Sequence, residues 1–193
     1  MSDALRIAHG AFGRVALLDM DRSLVRHAHH HCHLLIKVEG DDTQFLVGES
    51  VAPLTDALAV CVNAWEPHAY VHDPARARTV ILALYIEPDW LGEFRPNWAA
   101  SSGGGFFERS CGEISPRIRA LAMDLSAAMV HAPLAKTEHE RLLGELMIAV
   151  IERFSPWRSV SLREAALAGG VDWRVRRAIR LMQKDPCAAP DVG

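Results

Sequence analysis

The sequence is poor in what would fix its class at a glance. Its four cysteines, Cys32, Cys61, Cys111 and Cys187, are widely spaced with no C-x-x-C pair. That excludes a zinc ribbon and a dense disulfide framework, so they read as reduced thiols. No apolar run approaches the ~20 residues that span a bilayer. The opening "MSDALRIAHGAFG" lacks the charged start and apolar core of a leader, so a cytoplasmic, non-membrane protein is expected. Positive charge is also short: the net charge is −3, against the basic surplus that phosphate binding requires. No repeat or low-complexity tract is visible. With 193 residues, half of them hydrophobic, the chain has enough for one well-buried core and a smaller appendage.

What is there divides in two. Short apolar runs separated by turn signals fill the first half: "RVALLD" (14–19), "HLLIKVE" (33–39), "TQFLVG" (43–48), "ALAVCVN" (57–63) and "RTVILALYIE" (78–87). This is the spacing of a sandwich or barrel, and the last run is too apolar for anything but an interior strand. "EGDD" (39–42) reads as a tight turn between two strands. "EPDWLGEF" suggests one helical turn, and "RPNWAASSGGGFF" (95–107) a loop.

From Ile114 the period becomes helical. Ser115-Pro116 starts a helix whose apolar face holds Ile118, Leu121, Ala122, Leu125, Ala128 and Met129, and Pro133 stops it. Thr137 and Glu140 stand in capping-box spacing ahead of Leu142, Leu143, Leu146, Met147, Val150, Ile151 and Phe154. An antiparallel pair results, with two uses for that stripe: docking on the barrel, or packing against a second copy. Farther on, Arg158, Arg163, Arg174, Arg176, Arg177, Arg180 and Lys184 make the C-terminal end locally basic around an amphipathic helix, "WRVRRAIRLMQKD".

The chemistry concentrates in "RHAHHHCHLLIKVEG" (26–40), with five histidines and a cysteine in seven consecutive positions. In an extended chain His27, His29, His31 and His33 project to one side, and His30 and Cys32 to the other. Neutral imidazole is a common ligand for zinc, copper, nickel and iron, and His68 and His72 follow in "EPHAYVH". The plain alternative is a histidine-rich surface tract, but four unmetallated histidines indoors would repel one another when protonated and lack partners when neutral.

These residues resemble the cupins. "HAHHHCHLLIKVEG" is similar to the first cupin motif, and "EPHAYVH" to the second. The resemblance implies metal ligands at His27, His29 and His68. His33 stands where the family has Glu or Gln, giving an all-nitrogen set of His27, His29, His33 and His68 that suits zinc first, then nickel, iron or copper. His72 falls where the second motif has Asn. With the helices added, the chain resembles the N-terminal sensing and dimerisation domain of AraC-type transcription regulators. That implies a mainly β fold with α: a cupin (double-stranded β-helix, jelly-roll) barrel over 1–110, a helical hairpin over 111–157, and over 158–193 a linker with the first helix of a DNA-binding domain. Residues after Pro186 carry no helix-turn-helix, so DNA binding is expected only through a further C-terminal domain.

Two functions remain open. One is a sensing domain for an unknown small-molecule effector, homodimeric through helix 137–154, with a pocket lined by His31, Phe45, Trp65, His72 and Tyr85. The other is a metal-dependent cupin enzyme of the iron dioxygenase type, against which stands the lack of an acid-base partner better placed than Glu39 or Glu66. A nucleophilic Cys32 is disfavoured because strand neighbours point apart.

Overall fold

A computed structural model of the protein describes residues 3–10, 12–90 and 105–154. Ten strands and two helices follow in order: β1 (Asp3–Gly10), β2 (Gly13–Met20), β3 (Leu24–His27), β4 (Cys32–Gly40), β5 (Thr43–Val47), β6 (Ser50–Leu54), β7 (Leu58–Val62), β8 (His68–Val71), β9 (Thr79–Ile86), β10 (Cys111–Glu113), α1 (Pro116–His131) and α2 (Lys136–Phe154). The expected linker and basic helix over 158–193, and most of the loop at 95–107, lie outside the described residues.

The strands form two antiparallel sheets, of order β1-β2-β9-β4-β7-β10 and β3-β8-β5-β6. The pairs β2 with β9, β3 with β8, β4 with β7 and β5 with β6 are nested, as if one long hairpin had been rolled up. That nesting, alternating between two facing sheets, is a jelly roll, the double-stranded β-helix.

Alternation along the strands makes two cores. On β4 and β9, Leu35, Ile81 and Ala83 point between the sheets and join Met20, Phe45, Val47, Leu54, Val60, Val62 and Tyr70. Their neighbours Leu34, Ile36, Leu82, Leu84 and Ile86 point outward and meet Ile118, Leu121, Leu125 and Met129 of α1 and Leu142, Leu146, Val150 and Ile151 of α2. β4 and β9 are thus covered on both faces, which is why their sequences are nearly unbroken apolar runs. Each fully buried Leu, Ile or Val in this layer contributes on the order of 1.5–3 kcal/mol. The stripe of α2 is therefore buried against its own barrel.

Some expectations need correction. "EGDD" joins two strands as expected, but they belong to different sheets: β4 lies in the six-stranded sheet and β5 in the four-stranded one, so the segment turns a corner between sheets. Gly40 permits this with φ of +89°, where an added Cβ would come within 2.0 Å of the Arg78 carbonyl oxygen. Ser115 caps α1 as expected, accepting from the Ile118 N–H at 3.2 Å. α2 begins at Lys136, so Thr137 lies inside the first turn instead of capping it. The short strands β3, β8 and β10 gave too few residues for a period to show. β6 carries Pro53, which is tolerated because β6 is an edge strand. β10 joins the six-stranded sheet by pairing with β7, so sheet structure continues past residue 110.

Candidate metal centre

Both sheets and the connection between them supply the histidines. His27 at the end of β3 pairs directly with His68 at the start of β8. His33 on β4 pairs with Tyr85 on β9. His29 and His31 lie between, on the segment joining β3 to β4. The Trp65 N–H donates to the His29 carbonyl at 2.8 Å, tying that segment to the turn before β8. The same turn is closed by Asn63 N–H donating to a Glu66 carboxylate oxygen at 2.9 Å.

Ligand nitrogens of His27, His29 and His68 lie within 4.8 Å of one another. The rings of His27 and His68 are 4.4 Å apart, and His29 is 5.0 Å from His68. Nδ1 of His27 lies 2.8 Å from the Val25 carbonyl oxygen, and Nδ1 of His68 lies 2.9 Å from that of Glu66. A carbonyl can only accept, so each Nδ1 carries the proton and each Nε2 keeps its lone pair. This is the outer support that metal-ligating histidines ordinarily have.

His33 stands deeper, only 4% exposed, with its ring 4.2 Å from His29 and 4.0 Å from Tyr85. It is not in the convergent trio, but it backs it. Both ring nitrogens of His29 and Nε2 of His33 are buried without a hydrogen-bond partner. Such groups cost free energy unless something satisfies them, and a cation would do so. Burial, reinforced by the neighbouring imidazoles, holds His29 down to about 4 and His33 well below the usual histidine range. His68 is lowered chiefly by burial. At neutral pH these rings are neutral, the form that ligates. The residues fit a divalent transition ion held by nitrogen.

The extended-chain expectation fails at 30–31, where the chain bends. Neighbouring His30 and His31, expected on opposite sides, bring their rings within 3.8 Å. Both face Glu87 just past β9, His31 Nε2 at 3.1 Å and His30 Nε2 at 3.5 Å from its two carboxylate oxygens. Burial lowers His31 while Glu87 pulls it back up. Glu87 is the functional candidate that sequence reasoning passed over: it sits 56 positions from His31, and no local spacing marks it. Arg14 was missed too; its guanidinium lies 4.0 Å from the centre of the Tyr85 ring.

The expected pocket residues divide. Tyr85 lines the site beside His29, His31 and His33. Phe45 instead fills the core between the sheets, packed on Tyr70 at 5.1 Å. Trp65 is 69% exposed, with a backbone φ of 63° and its ring 6.4 Å from that of His30 at the edge of the cluster. His72 lies past the far end of β8 from His68, beside Tyr70, with its N–H donating to Ser23 Oγ. Cys32 is fully buried on the helix side of β4, where burial pushes its thiol up to about 11, so it is no nucleophile for this site. Cys32, Cys61 and Cys111 are all free thiols.

No helix among the described residues is long and apolar enough to cross a membrane. No protein-family model matches the chain, and no curated protein matches it. Among solved structures, AerE from Microcystis aeruginosa is 14% identical, with a TM-score of 0.39 over 53% of this chain and 42% of its own. A Cupin 2 conserved barrel domain protein from Salinispora arenicola is 14% identical, with a TM-score of 0.37 over 47% of this chain and 75% of its own. A predicted oxalate decarboxylase from Thermotoga maritima is 15% identical, with a TM-score of 0.36 over 42% of this chain and 78% of its own. The chain thus spans less than half of AerE's length. The strand order, rather than these partial likenesses, carries the fold: a jelly-roll barrel with a histidine cluster at its mouth and two helices on its back.

Proposed function

We propose that the chain is a metal-centred ligand-sensing barrel, of the regulatory kind that the AraC-type resemblance implies, with the helical hairpin reporting the state of the pocket. The observation that carries this reading is the double role of β4. His33 points into the histidine cluster, while Cys32, Leu34 and Ile36 on the same strand pack toward α1 and α2. A shift of that strand on ligand binding is felt at once by both layers, since packed layers transmit small displacements. His27, His29 and His68 would hold a divalent transition ion, zinc before nickel, iron or copper, with His33 behind them against His29. The ion supplies a Lewis-acidic anchor for an effector donor atom. Tyr85 and His31 line the approach, and Arg14 offers a fixed positive charge to an effector carrying an anionic group.

Homodimerisation through helix 137–154 belongs to the same reading. A second copy would meet the side of α2 that carries Glu138, Arg141 and Glu145, because its apolar stripe faces the sheet.

Hydrogen exchange of the metal-stripped chain with and without zinc tests the reading. Zinc should slow exchange in β4 and also in α1 and α2, and His68→Ala should remove both effects. Protection confined to the barrel mouth would leave a metal site without a sensor. A second reading, the iron dioxygenase type of cupin enzyme, is favoured by the His31–Glu87 pair, an acid-base couple beside the trio. Oxygen consumption by iron-loaded protein with small thiols or diketones would select it.

A further inference from the structure

His30, His31 and Glu87 form a cluster that the centre above does not use, and we propose that it is a second metal site, at the rim of the barrel, taking a divalent transition ion. Their ligand atoms lie within 4.8 Å of one another. His31 Nε2 lies 3.1 Å from one Glu87 carboxylate oxygen and His30 Nε2 lies 3.5 Å from the other, so the carboxylate faces both imidazoles at once. A plain hydrogen bond from His31 to Glu87 would need no second imidazole. Yet the His30 ring lies tilted beside that of His31 with its own Nε2 turned to the other oxygen of the same carboxylate.

Two features set these donors in place. The bend at 30–31 puts sequence neighbours side by side, which a strand cannot do. Glu87 is fixed at the end of β9 by its N–H, which donates to the Phe12 carbonyl at 2.8 Å. The donor set also differs from the inner one: two imidazoles and a carboxylate, against imidazoles alone. One negative charge offsets the ion and the nearby Arg14, which rests on Tyr85. The rim donors are partly open to water, with 54% of the His30 side chain, 16% of His31 and 41% of Glu87 exposed. Water can therefore complete the coordination, and the rim ion should bind more weakly than one held by three imidazoles, of which His68 is buried. His29 of the inner set has its ring 5.6 Å from that of His31 in the rim set.

Stoichiometry separates the sites. Tag-free chain stripped with a chelator and titrated with zinc should bind two ions in two steps, the weaker lost in Glu87→Gln and the tighter lost in His68→Ala. Glu87 is partly exposed, so the glutamine variant should fold as the parent does, and circular dichroism checks this. His30→Ala should reproduce the Glu87→Gln result. A wild-type chain that binds a single zinc, or a Glu87→Gln chain that still binds two, overturns the rim site. Retention of both ions in His68→Ala would instead fault the inner ligand set, with Glu87→Gln still deciding the rim.

Discussion

His33 shows how much burial governs this site, because it is an imidazole 4% exposed with an unpartnered nitrogen, surrounded by other imidazoles. Such a ring cannot accept a proton without a large penalty. In the metal-free protein His29, titrating at about 4, His33 and His68 all stay neutral where an unfolded chain's histidines, near 6.5, take up protons. The unfolded state therefore binds more protons between about pH 6.5 and pH 4. Stability is fully present above 6.5 and falls as the pH drops through that window. Urea midpoints of the stripped protein should decline from pH 7.5 to pH 5, and His33→Leu should flatten the decline. Midpoints that stay level in the parent would show these rings are solvated. Cys32 illustrates the same rule with opposite sign: with its thiol at about 11, only ~0.1% is thiolate at pH 8, so native alkylation should be slow.

Elements carry their own signals of what they tolerate. α2 has a glycine in its interior, Gly144, and an added Cβ there meets nothing within 4 Å. Gly144→Ala should stabilise the fold by about 0.8–1 kcal/mol, seen as a higher melting temperature. A lower one would mean the open face of α2 is occupied by something else. At the corner between β4 and β5 the outcome reverses. Gly40 has a positive φ and its Cβ position lies against the Arg78 carbonyl, so Gly40→Ala should cost roughly 2–4 kcal/mol in denaturant unfolding. The strands β2, β4, β5, β7 and β9 were readable because burial gave them apolar runs or alternation. β1, β3, β6, β8 and β10 were not, since they are edge strands, short, or interrupted by proline, and their pairing is set by distant partners.

For the whole molecule the metal is a stability term as well as a functional one. An ion that binds only the folded chain adds RT ln(1 + [L]/Kd), about 2.7 kcal/mol at a hundredfold excess over Kd. Zinc should raise the unfolding midpoint of the parent accordingly and that of His68→Ala by less, through the rim ion alone. No zinc effect on the parent would count against the inner centre. The barrel and hairpin share one packed layer, so the zinc response should appear as a single cooperative shift. Two separate transitions would mean that the helices unfold independently of the sheet.

The sequence by itself determined the mainly β barrel, the helical hairpin with its Ser115 cap, and the histidines 27, 29, 33 and 68 as the candidate centre. The barrel and hairpin depend on local periodicity, which is written along the chain, and the histidine set on residue chemistry together with the resemblance to the cupin motifs. Only the tertiary structure decided that His27, His29 and His68 converge while His33 backs them, and that Phe45, Trp65 and His72 leave the pocket. It alone brought Glu87 and Arg14 to the mouth. The reason is physical: one bend at 30–31 and the rolling of two sheets set which side chains meet, and neither follows from spacing.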